Sequence, residues 1–374
     1  MGIKGCKTAI IHDWLTGMRG GEKVLESLLD IYPEADIFTL VWIKGSVSSK
    51  IEKQKITTSF LQKAPFIRKT YRHYLPLFPL AIESFNLNEY DLVISSSHCV
   101  AKGVIPAPNA RHICYCHTPM RYIWNMYFDY FGKERNLVTG LIYKSVAHHL
   151  RIWDVSSAER VDSFIANSTN VANRIKRYYN KPSHVIYPPV NTEFYHPVSD
   201  KILMEPYYLI VSALVPYKRI DLAVEAFNYM DKRLIVIGEG PEKRKLMKKA
   251  KGNISFLGWA SNDQLRKWYS HCEALIFPGE EDFGIIPVEA QACGSPVIAY
   301  AKGGAIETVS DRETGIFFHN QKKEDLIQAI KAHETMHYDK TKIIANAKRF
   351  SNNVFIGKIR QYIMQSCKPT DEGR

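Results

Sequence analysis

Two acidic residues eight positions apart, Glu281 and Glu289, are the strongest candidates for chemistry in this chain. Carboxylates accept hydrogen bonds from hydroxyl groups. Phe283 and Gly284 lie between them, and a glycine lets the backbone adopt a positive φ and approach a ligand closely. The spacing predicts a crevice that both carboxylates face. A solvated helical face is the competing interpretation, because most glutamates on short helices are simply exposed.

The elements around these glutamates place them at one edge of a parallel sheet. Residues 274–278 form an apolar run bounded by proline and glycine, which is typical of a buried strand. Residues 287–293 begin with proline and are followed by glycine, which predicts a two-turn helix with Glu289 in its first turn. Residues 297–300 return to the sheet. Open α/β sheets bind ligands at the carboxyl ends of their strands, where Glu281 is expected.

Two glycine pairs have the placement of anion-binding turns. Gly20 and Gly21 follow a predicted strand at residues 8–12 and open an amphipathic helix, and Gly303 and Gly304 open another helix. Bare backbone N–H groups at the positive end of a helix dipole attract anions. For a glycine pair taken alone, an ordinary tight turn is an equally good interpretation.

The composition describes a globular chain with two domains and an anionic partner. Its 374 residues exceed one ordinary domain, and 45% hydrophobic with 24% charged residues is a normal balance for a folded protein. The net charge of +12 favours a nucleotide diphosphate, a nucleic acid or an acidic membrane as the partner. Strands and helices alternate in both halves, which predicts two doubly wound parallel sheets joined by a proline-rich linker at residues 184–197.

The cysteines and the hydropathy exclude other classes of protein. Seven scattered cysteines do not form a disulfide framework and fit a reducing cytosol. Cys114, Cys116 and His117 have the residue types of a metal site, but no second cluster completes four ligands, so buried residues at a strand end are the favoured interpretation. No run approaches the roughly 20 apolar residues of a spanning helix, which predicts a soluble or peripheral protein.

Residues 44–72 mix cations with aromatic residues. The segment has eight Lys or Arg and one acid, Glu52, and it runs on into further aromatic residues such as Tyr74 and Phe78. Docking on an anionic membrane is one interpretation, because each cation near such a surface is worth about 1 kcal/mol. A solvated helical hairpin whose aromatic residues pack inward is the other, and the sequence leaves both open.

The stretch EDFGIIPVEAQACGSPVIA, residues 281–299, resembles the retaining glycosyltransferases of the GT-B fold in glycosyltransferase family four. In that family the first glutamate contacts hydroxyls of the donor sugar and the second holds the nucleotide ribose. The resemblance implies these roles for Glu281 and Glu289. A histidine in the region of His117 bonds the transferred sugar in that family, which implies the same for His117.

The resemblance covers nearly the whole chain and implies the remaining donor site and the architecture. The expected fold is α/β, with two Rossmann-like parallel-sheet domains facing one cleft. The acceptor-side domain is expected at residues 1–187, the nucleotide-sugar domain at 188–350, and a helix and tail returning to the first domain at 351–374. The residues expected to bind the donor or its nucleotide are Gly20, Gly21, Glu239, Phe283, Gly284, Glu289, Gly303 and Gly304.

Transfer of a sugar from a nucleotide diphosphate needs positive charge near the leaving phosphate. The sequence contains no Asp-x-Asp, so we expect a metal-independent enzyme without a cofactor, in which Lys218, Arg219 and backbone dipoles supply that charge. Many relatives carry an arginine five positions before the lysine, where this chain has Ala213. We therefore expect Arg219 to replace the missing charge and to act with Lys218, His117 and Glu281 in catalysis.

The segments HTPMRYIWN and VPYKR look most like bacterial mannosyltransferases that build O-antigen or similar surface polysaccharides. This implies GDP-mannose as donor, a lipid-linked glycan as acceptor, and a cytoplasmic protein on the inner face of the cell membrane. UDP-glucose and UDP-galactose are the alternative donors. A GT-B epimerase or phosphorylase would need a base set or cofactor lysine that the sequence does not show. A non-catalytic anion-binding protein is a further alternative, although no known nucleic-acid motif accompanies the charge.

Overall fold

The chain forms two compact units in a computed structural model that describes residues 6–128, 137–200, 202 and 205–366. Unit 1 comprises Met1–Pro188 and Phe355–Arg374. Unit 2 comprises Pro189–Val354. Unit 1 is thus assembled from two separate stretches of chain.

Seven parallel strands form the sheet of unit 1. They are β1 (Thr8–His12), β2 (Asp36–Thr39), β3 (Ile56–Thr58), β4 (Leu92–Ser97), β5 (Arg111–Cys116), β6 (Ser163–Ala166) and β7 (Ser183–Val185). Their spatial order is β3-β2-β1-β4-β5-β6-β7, so the chain crosses to the other half of the sheet between β3 and β4. Every residue of β1 and β4 is buried, as expected for central strands that are covered on both faces.

Six parallel strands form the sheet of unit 2. They are β8 (Tyr208–Val211), β9 (Leu234–Ile237), β10 (Ile254–Gly258), β11 (Leu275–Phe277), β12 (Val297–Tyr300) and β13 (Gly315–Phe318). Their order is β10-β9-β8-β11-β12-β13. The order reverses between β8 and β11, which is where open α/β sheets bind ligands.

Helices connect the strands. In the described ranges the α-helices are α1 (Gly20–Ile31), α2 (Ser49–Glu52), α3 (Ile67–Thr70), α4 (Phe78–Glu83), α5 (Leu137–Ala158), α6 (Thr169–Tyr179), α7 (Ile220–Phe227), α8 (Lys243–Lys249), α9 (Asn262–His271), α10 (Ile285–Ala292), α11 (Ala305–Thr308), α12 (Lys323–Glu334), α13 (Lys340–Lys348) and α14 (Asn352–Ser366). Short 3₁₀ helices span Phe60–Lys63, Tyr71–Leu77, Ala101–Gly103 and Pro216–Lys218. None of the helices described is both long and apolar enough to cross a membrane.

The two predicted parallel sheets are confirmed, and the differences lie in short elements. β2 and β3 are brief strands that the sequence analysis did not find. β7 begins at Ser183 and extends into the stretch interpreted as a linker, residues 184–197, because three residues suffice for an edge strand beside β6. The helical hairpin considered for residues 44–72 is wrong, since that segment holds β3 between very short helices.

The C-terminal helix packs on unit 1 through a narrow apolar stripe. Phe355, Ile359 and Ile363 recur every four residues on α14, and all three are buried in the core that includes Ile10 and Leu25. The ring of Phe355 meets that of Tyr115 edge to face, with centroids 5.7 Å apart. Burying side chains of this size contributes about 1.5–3 kcal/mol each, which explains why α14 stays with unit 1.

A buried ion pair fixes the long helix α5 to the turn after β4. Lys102 and Asp154 are 1% and 0% exposed, and Lys102 Nζ lies 3.0 Å from Asp154 Oδ1. The same ammonium donates to Ser157 Oγ at 2.6 Å. The other oxygen of Asp154 accepts from Trp124 Nε1 at 2.7 Å and from Tyr179 at 2.9 Å. Surrounding donors and acceptors thereby offset the cost of burying both charges.

We predict that Lys102→Met lowers the free energy of unfolding by about 3–5 kcal/mol, because it leaves the Asp154 carboxylate buried without a cation. Urea denaturation measures the change. Lys181→Met is the matched control, since Lys181 pairs with the exposed Glu159 at 2.6 Å and should cost less than about 1 kcal/mol. Equal costs for the two variants would contradict the structural role of the buried pair.

Candidate functional site

In unit 2, Glu281 and Lys218 form an ion pair between the loops that follow β11 and β8. These strands are neighbours in the sheet, so their carboxyl ends bring the two loops to one edge. The two side chains are only 18% and 12% exposed. The ammonium also lies over the ring of Tyr217, 5.4 Å from its centroid. A cation and a carboxylate that can accept hydrogen bonds therefore share one partly buried position.

Glycines allow the surrounding loops to pack backbone against backbone. A Cβ on Gly279 would lie 2.8 Å from the Cα of Lys218, closer than real Cβ atoms approach. Gly303 has a φ of 67°, and the N–H of Gly304 donates to the carbonyl of Glu281 at 2.8 Å. One of the N–H groups expected to face a phosphate thus holds the Glu281 loop instead.

The loop enters α10 through Gly284, whose φ of 88° suits glycine. The helix begins at Ile285, two residues before the predicted start, and Glu289 therefore lies in its second turn rather than its first. Phe283 is 3% exposed and packs against Phe350, with ring centroids 5.4 Å apart. The ring of Phe283 therefore lies in the core of unit 2, and its backbone, rather than its ring, lies at the edge of the sheet.

Glu289 is buried beneath phenol groups. The side chain is 4% exposed, and Oε2 accepts a hydrogen bond from Tyr269 at 3.2 Å. Tyr195 lies against Tyr269, with ring centroids 5.9 Å apart. Burial, followed by the charge of Glu289, raises the pKa of both tyrosines well above the usual value. A ligand hydroxyl at Glu289 would share the carboxylate with a buried phenol.

Arg219 does not face Glu281. Its φ of 53° is left-handed, its Nε lies 3.3 Å from Asp221 Oδ1, and Nη1 donates to Gln321 Oε1 at 3.1 Å. Gln321 in turn donates to the carbonyl of Pro278 at 2.9 Å. Through Gln321, Arg219 therefore stabilises the loop that precedes Glu281, while Lys218 contacts Glu281 directly.

Glu239, another residue expected at the donor site, follows β9 and pairs with Lys243 at 2.6 Å. Its side chain is 57% exposed. The next strand outward, β10, is followed by Trp259, which the sequence analysis did not select and which is 79% exposed. The sequence shows a tryptophan directly after an apolar strand. Its exposure is unusual, because tryptophan usually buries most of its surface.

In unit 1, Gly21 and His117 lie together with two residues that the sequence analysis missed. A Cβ on Gly21 would lie 3.2 Å from the ring of His12 and 3.7 Å from Nε2 of His117. Ser96 Oγ is 3.2 Å from His12 Nδ1 and 2.9 Å from His117 Nε2. Gly20 begins α1 beside this cluster. The glycine pair thus packs against histidines at the ends of β1 and β5.

A buried carboxylate ties the ends of β1 and β4 together. Asp13 is 0% exposed and accepts four hydrogen bonds, at 2.6–3.0 Å, from the backbone N–H groups of residues 98–101. His98 Nδ1 lies 3.0 Å from its Oδ2. Burial alone would raise the pKa of Asp13, but the charge and hydrogen bonds of His98 outweigh it and lower the pKa far below the usual value. The sequence could have identified Asp13 as a candidate, because it is an acidic residue directly after an apolar strand.

The cysteines beside His117 are buried residues of a strand. Cys114 and Cys116 are buried in β5, and burial raises the pKa of Cys116 well above the usual value. The described part of the chain contains no group of three or more His, Cys, Asp or Glu residues placed to hold a metal ion.

Both halves of the chain match families of sugar-transferring enzymes. Residues 19–194 match Glycosyltransferase Family 4, and residues 191–350 match Glycosyl transferases group 1. The chain is built from a family-four glycosyltransferase domain and a group-1 glycosyl transferase domain. An uncharacterized glycosyltransferase of Methanocaldococcus jannaschii is 30% identical over 174 residues, which cover 45% of this chain and 48% of that protein.

A second relative is the GDP-mannose-dependent alpha-(1-6)-phosphatidylinositol monomannoside mannosyltransferase of Mycobacterium tuberculosis. It is 29% identical over 143 residues, which cover 33% of this chain and 37% of that protein. The matched part of the chain therefore spans less than half the length of either relative.

Solved structures share the fold of this chain. HepE of Anabaena, determined in complex with UDP, superposes with a TM-score of 0.70 at 18% identity, covering 96% of this chain and 100% of HepE. HepE has also been determined in complex with UDP-glucose. The predicted GT-B fold, with two parallel-sheet domains and a helical C-terminal segment, is confirmed.

The pKa of His117 predicts an acid-sensitive stability of unit 1. Burial, then the neighbouring charges of His98 and His12, lower the pKa of His117 from 6.5 to about 3. The unfolded chain therefore binds a proton as the pH falls below about 6.5 while folded His117 does not, so the free energy of unfolding falls, by up to about 1.4 kcal/mol per pH unit.

Urea denaturation between about pH 7 and about pH 5 should show this slope decreasing by nearly one proton in His117→Asn. His73→Asn, at an exposed histidine, should leave it unchanged. An unaltered slope in His117→Asn would show that His117 does not resist protonation in the folded state.

Proposed function

We propose that this protein is a retaining, metal-independent glycosyltransferase that moves mannose from GDP-mannose onto a lipid-linked glycan in the synthesis of a cell-surface polysaccharide. The observation that carries the proposal is the contact between Lys218 and Glu281 at the edge of the unit 2 sheet, within domains of glycosyltransferase families. In this proposal Lys218 binds the donor diphosphate and Glu281 accepts hydrogen bonds from hydroxyls of the sugar.

Stabilisation of the leaving diphosphate falls to fixed protein charges in this mechanism. Lys218 is held in place by Glu281 and by the ring of Tyr217, so little reorganisation is needed when charge develops on the phosphate. Arg219, the residue after Lys218, donates to Gln321 and pairs with Asp221. To replace the arginine absent at Ala213, Arg219 would have to leave these partners for the phosphate.

Mannose is favoured by the mannosyltransferase relative, whose name specifies GDP-mannose. UDP-glucose and UDP-galactose stay as alternatives, because HepE has the same fold and binds UDP and UDP-glucose. Glu289 and Glu239 are proposed to contact the nucleotide part of the donor, and His117 the transferred sugar.

We predict that GDP-mannose raises the melting temperature of the protein, since a ligand at 100 times its Kd adds about 2.7 kcal/mol of stability. Lys218→Ala and Glu281→Ala should each weaken binding about tenfold to a hundredfold, because each removes a charged hydrogen-bonding partner. Calorimetric titration measures the affinity, with Glu313→Ala at an exposed acid as control. A response to UDP-sugars and none to GDP-mannose would reverse the choice of donor, and no response to any nucleotide sugar would contradict the transferase.

A lipid-linked acceptor is supported by an exposed apolar and basic surface on unit 1, which we call the docking patch. Its apolar members Phe60, Phe66, Leu77 and Leu80 are 47%, 83%, 43% and 61% exposed. Its basic members are Arg68, Lys69 and Arg72, which are exposed on the same stretch of chain. Other aromatic residues of this stretch, including Tyr71 and Phe78, pack inward. We propose that the patch holds the protein on the cytoplasmic face of an anionic membrane.

We predict that Arg68→Gln combined with Lys69→Gln lowers partitioning onto vesicles containing phosphatidylserine about thirtyfold, because each cation contributes about 1 kcal/mol. Phe66→Ser should weaken binding further, and added salt should weaken the binding of the unsubstituted protein. Leu141→Ser is the control, at an exposed apolar residue outside the patch. Vesicle sedimentation measures binding, and equal binding to neutral and anionic vesicles would exclude the electrostatic contribution.

A further inference from the structure

We propose that Glu22, His12 and Ser96 are positioning residues that fix the tautomer of His117, so that its Nδ1 accepts a hydrogen bond from a hydroxyl group of the sugar substrate. The inference rests on the proposed function for the identity of that substrate. The arrangement of protons within unit 1 follows from the geometry of the four side chains and from the charge states of Glu22 and His117.

The four side chains form a continuous row. Glu22 Oε1 lies 3.7 Å from His12 Nε2, His12 Nδ1 lies 3.2 Å from Ser96 Oγ, and Ser96 Oγ lies 2.9 Å from His117 Nε2. Glu22, His12 and Ser96 are 4%, 0% and 0% exposed. The parallel register fixes two of them, because His12 and Ser96 are directly opposed on β1 and β4.

The hydroxyl group of Ser96 couples the two histidines. It carries one proton and lies within hydrogen-bond distance of a ring nitrogen on each side. It can donate to only one nitrogen, and because the described residues offer it no other acceptor, it donates to one ring and accepts from the other. If Ser96 donates to His12, then His117 must carry its proton on Nε2. If Ser96 accepts from His12, the proton of His117 must be on Nδ1.

Glu22 decides between these two arrangements. Burial raises the pKa of Glu22, but the interaction with His12 outweighs burial and the net effect lowers the pKa, so Glu22 is ionised. The carboxylate lies 3.7 Å from His12 Nε2, and its negative charge favours the ring proton on that nitrogen. His12 Nδ1 is then bare, Ser96 donates to it, and His117 carries its proton on Nε2.

The outer nitrogen of His117 is left as an acceptor. With a pKa of about 3, His117 is neutral at physiological pH and carries a single ring proton. That proton points to Ser96, and among the residues that the structure describes Nδ1 has no hydrogen-bond partner. A bare imidazole nitrogen accepts from a sugar hydroxyl, whereas the other tautomer would donate to its oxygen.

The decisive variant is Glu22→Gln, which changes one atom. Glu22 Oε2 accepts from the backbone N–H of Arg19 at 2.9 Å, so the amide oxygen of glutamine must take that place. The NH₂ group then faces His12 Nε2 and donates to it. His12 moves its proton to Nδ1, Ser96 donates to His117, and the proton of His117 moves from Nε2 to Nδ1.

Long-range ¹H–¹⁵N NMR spectra of histidine-labelled protein distinguish the two tautomers without any ligand. We expect His117 to carry its proton on Nε2 in the unsubstituted protein and on Nδ1 in Glu22→Gln. Glu26→Gln, the same change one turn later on α1, should leave the spectrum of His117 unchanged. In Ser96→Ala, adding Glu22→Gln should no longer move the proton, because the link between the histidines is gone.

The position of the proton and the rate of sugar transfer are measured in separate experiments. Glu22→Gln should lower kcat/KM for mannose transfer from GDP-mannose about tenfold or more, the effect of losing one hydrogen bond to the substrate. A wild-type His117 protonated on Nδ1, or a tautomer that ignores Glu22→Gln in a folded protein, would overturn the inference. Absence of sugar transfer by the unsubstituted protein would instead refute the proposed function and leave the NMR result standing.

Discussion

The carboxylate of Asp13 holds the unit 1 site in place. It is fully buried and accepts four backbone hydrogen bonds from residues 98–101, which is why the chain turns sharply after β4. Ser96 precedes this turn and Lys102 follows it, so the hydroxyl beside His117 and the ion pair with Asp154 both depend on it. A buried anion is stable here because its donors are backbone groups that cannot swing away.

The sequence predicts those parts of the fold that depend on local pattern. Central strands such as β1 and β11 are continuous apolar runs, and the glycines near Glu281 and Glu289 correctly mark the ends of loops. Short strands such as β3 lack such a pattern, because three residues at a sheet edge need not be buried. Their existence follows from pairing with β2, which is a contact between distant residues.

The candidate site likewise contains residues that the sequence identifies and residues that it does not. Lys218 and Glu281 were identifiable because each follows an apolar strand, and parallel strands bring such positions together. The phenol of Tyr269 on Glu289 was not, because it comes from a helix twenty residues away in sequence. Ser96 was likewise hidden within a hydroxyl-rich strand end, and only the register that opposes it to His12 shows its role. Residue type is local information, whereas hydrogen-bond partners are set by tertiary packing.

The ion pair between Lys218 and Glu281 neutralises the charges of both side chains. An anion that binds only Lys218 leaves the mostly buried carboxylate of Glu281 without its cation. A neutral polyol that binds only Glu281 must compete with the attraction between Glu281 and Lys218. Only a molecule with an anionic group and hydroxyl donors at the right separation compensates both residues at once. In the proposed function, the pair would therefore discriminate against fragments of the donor, including inorganic phosphate and free sugar.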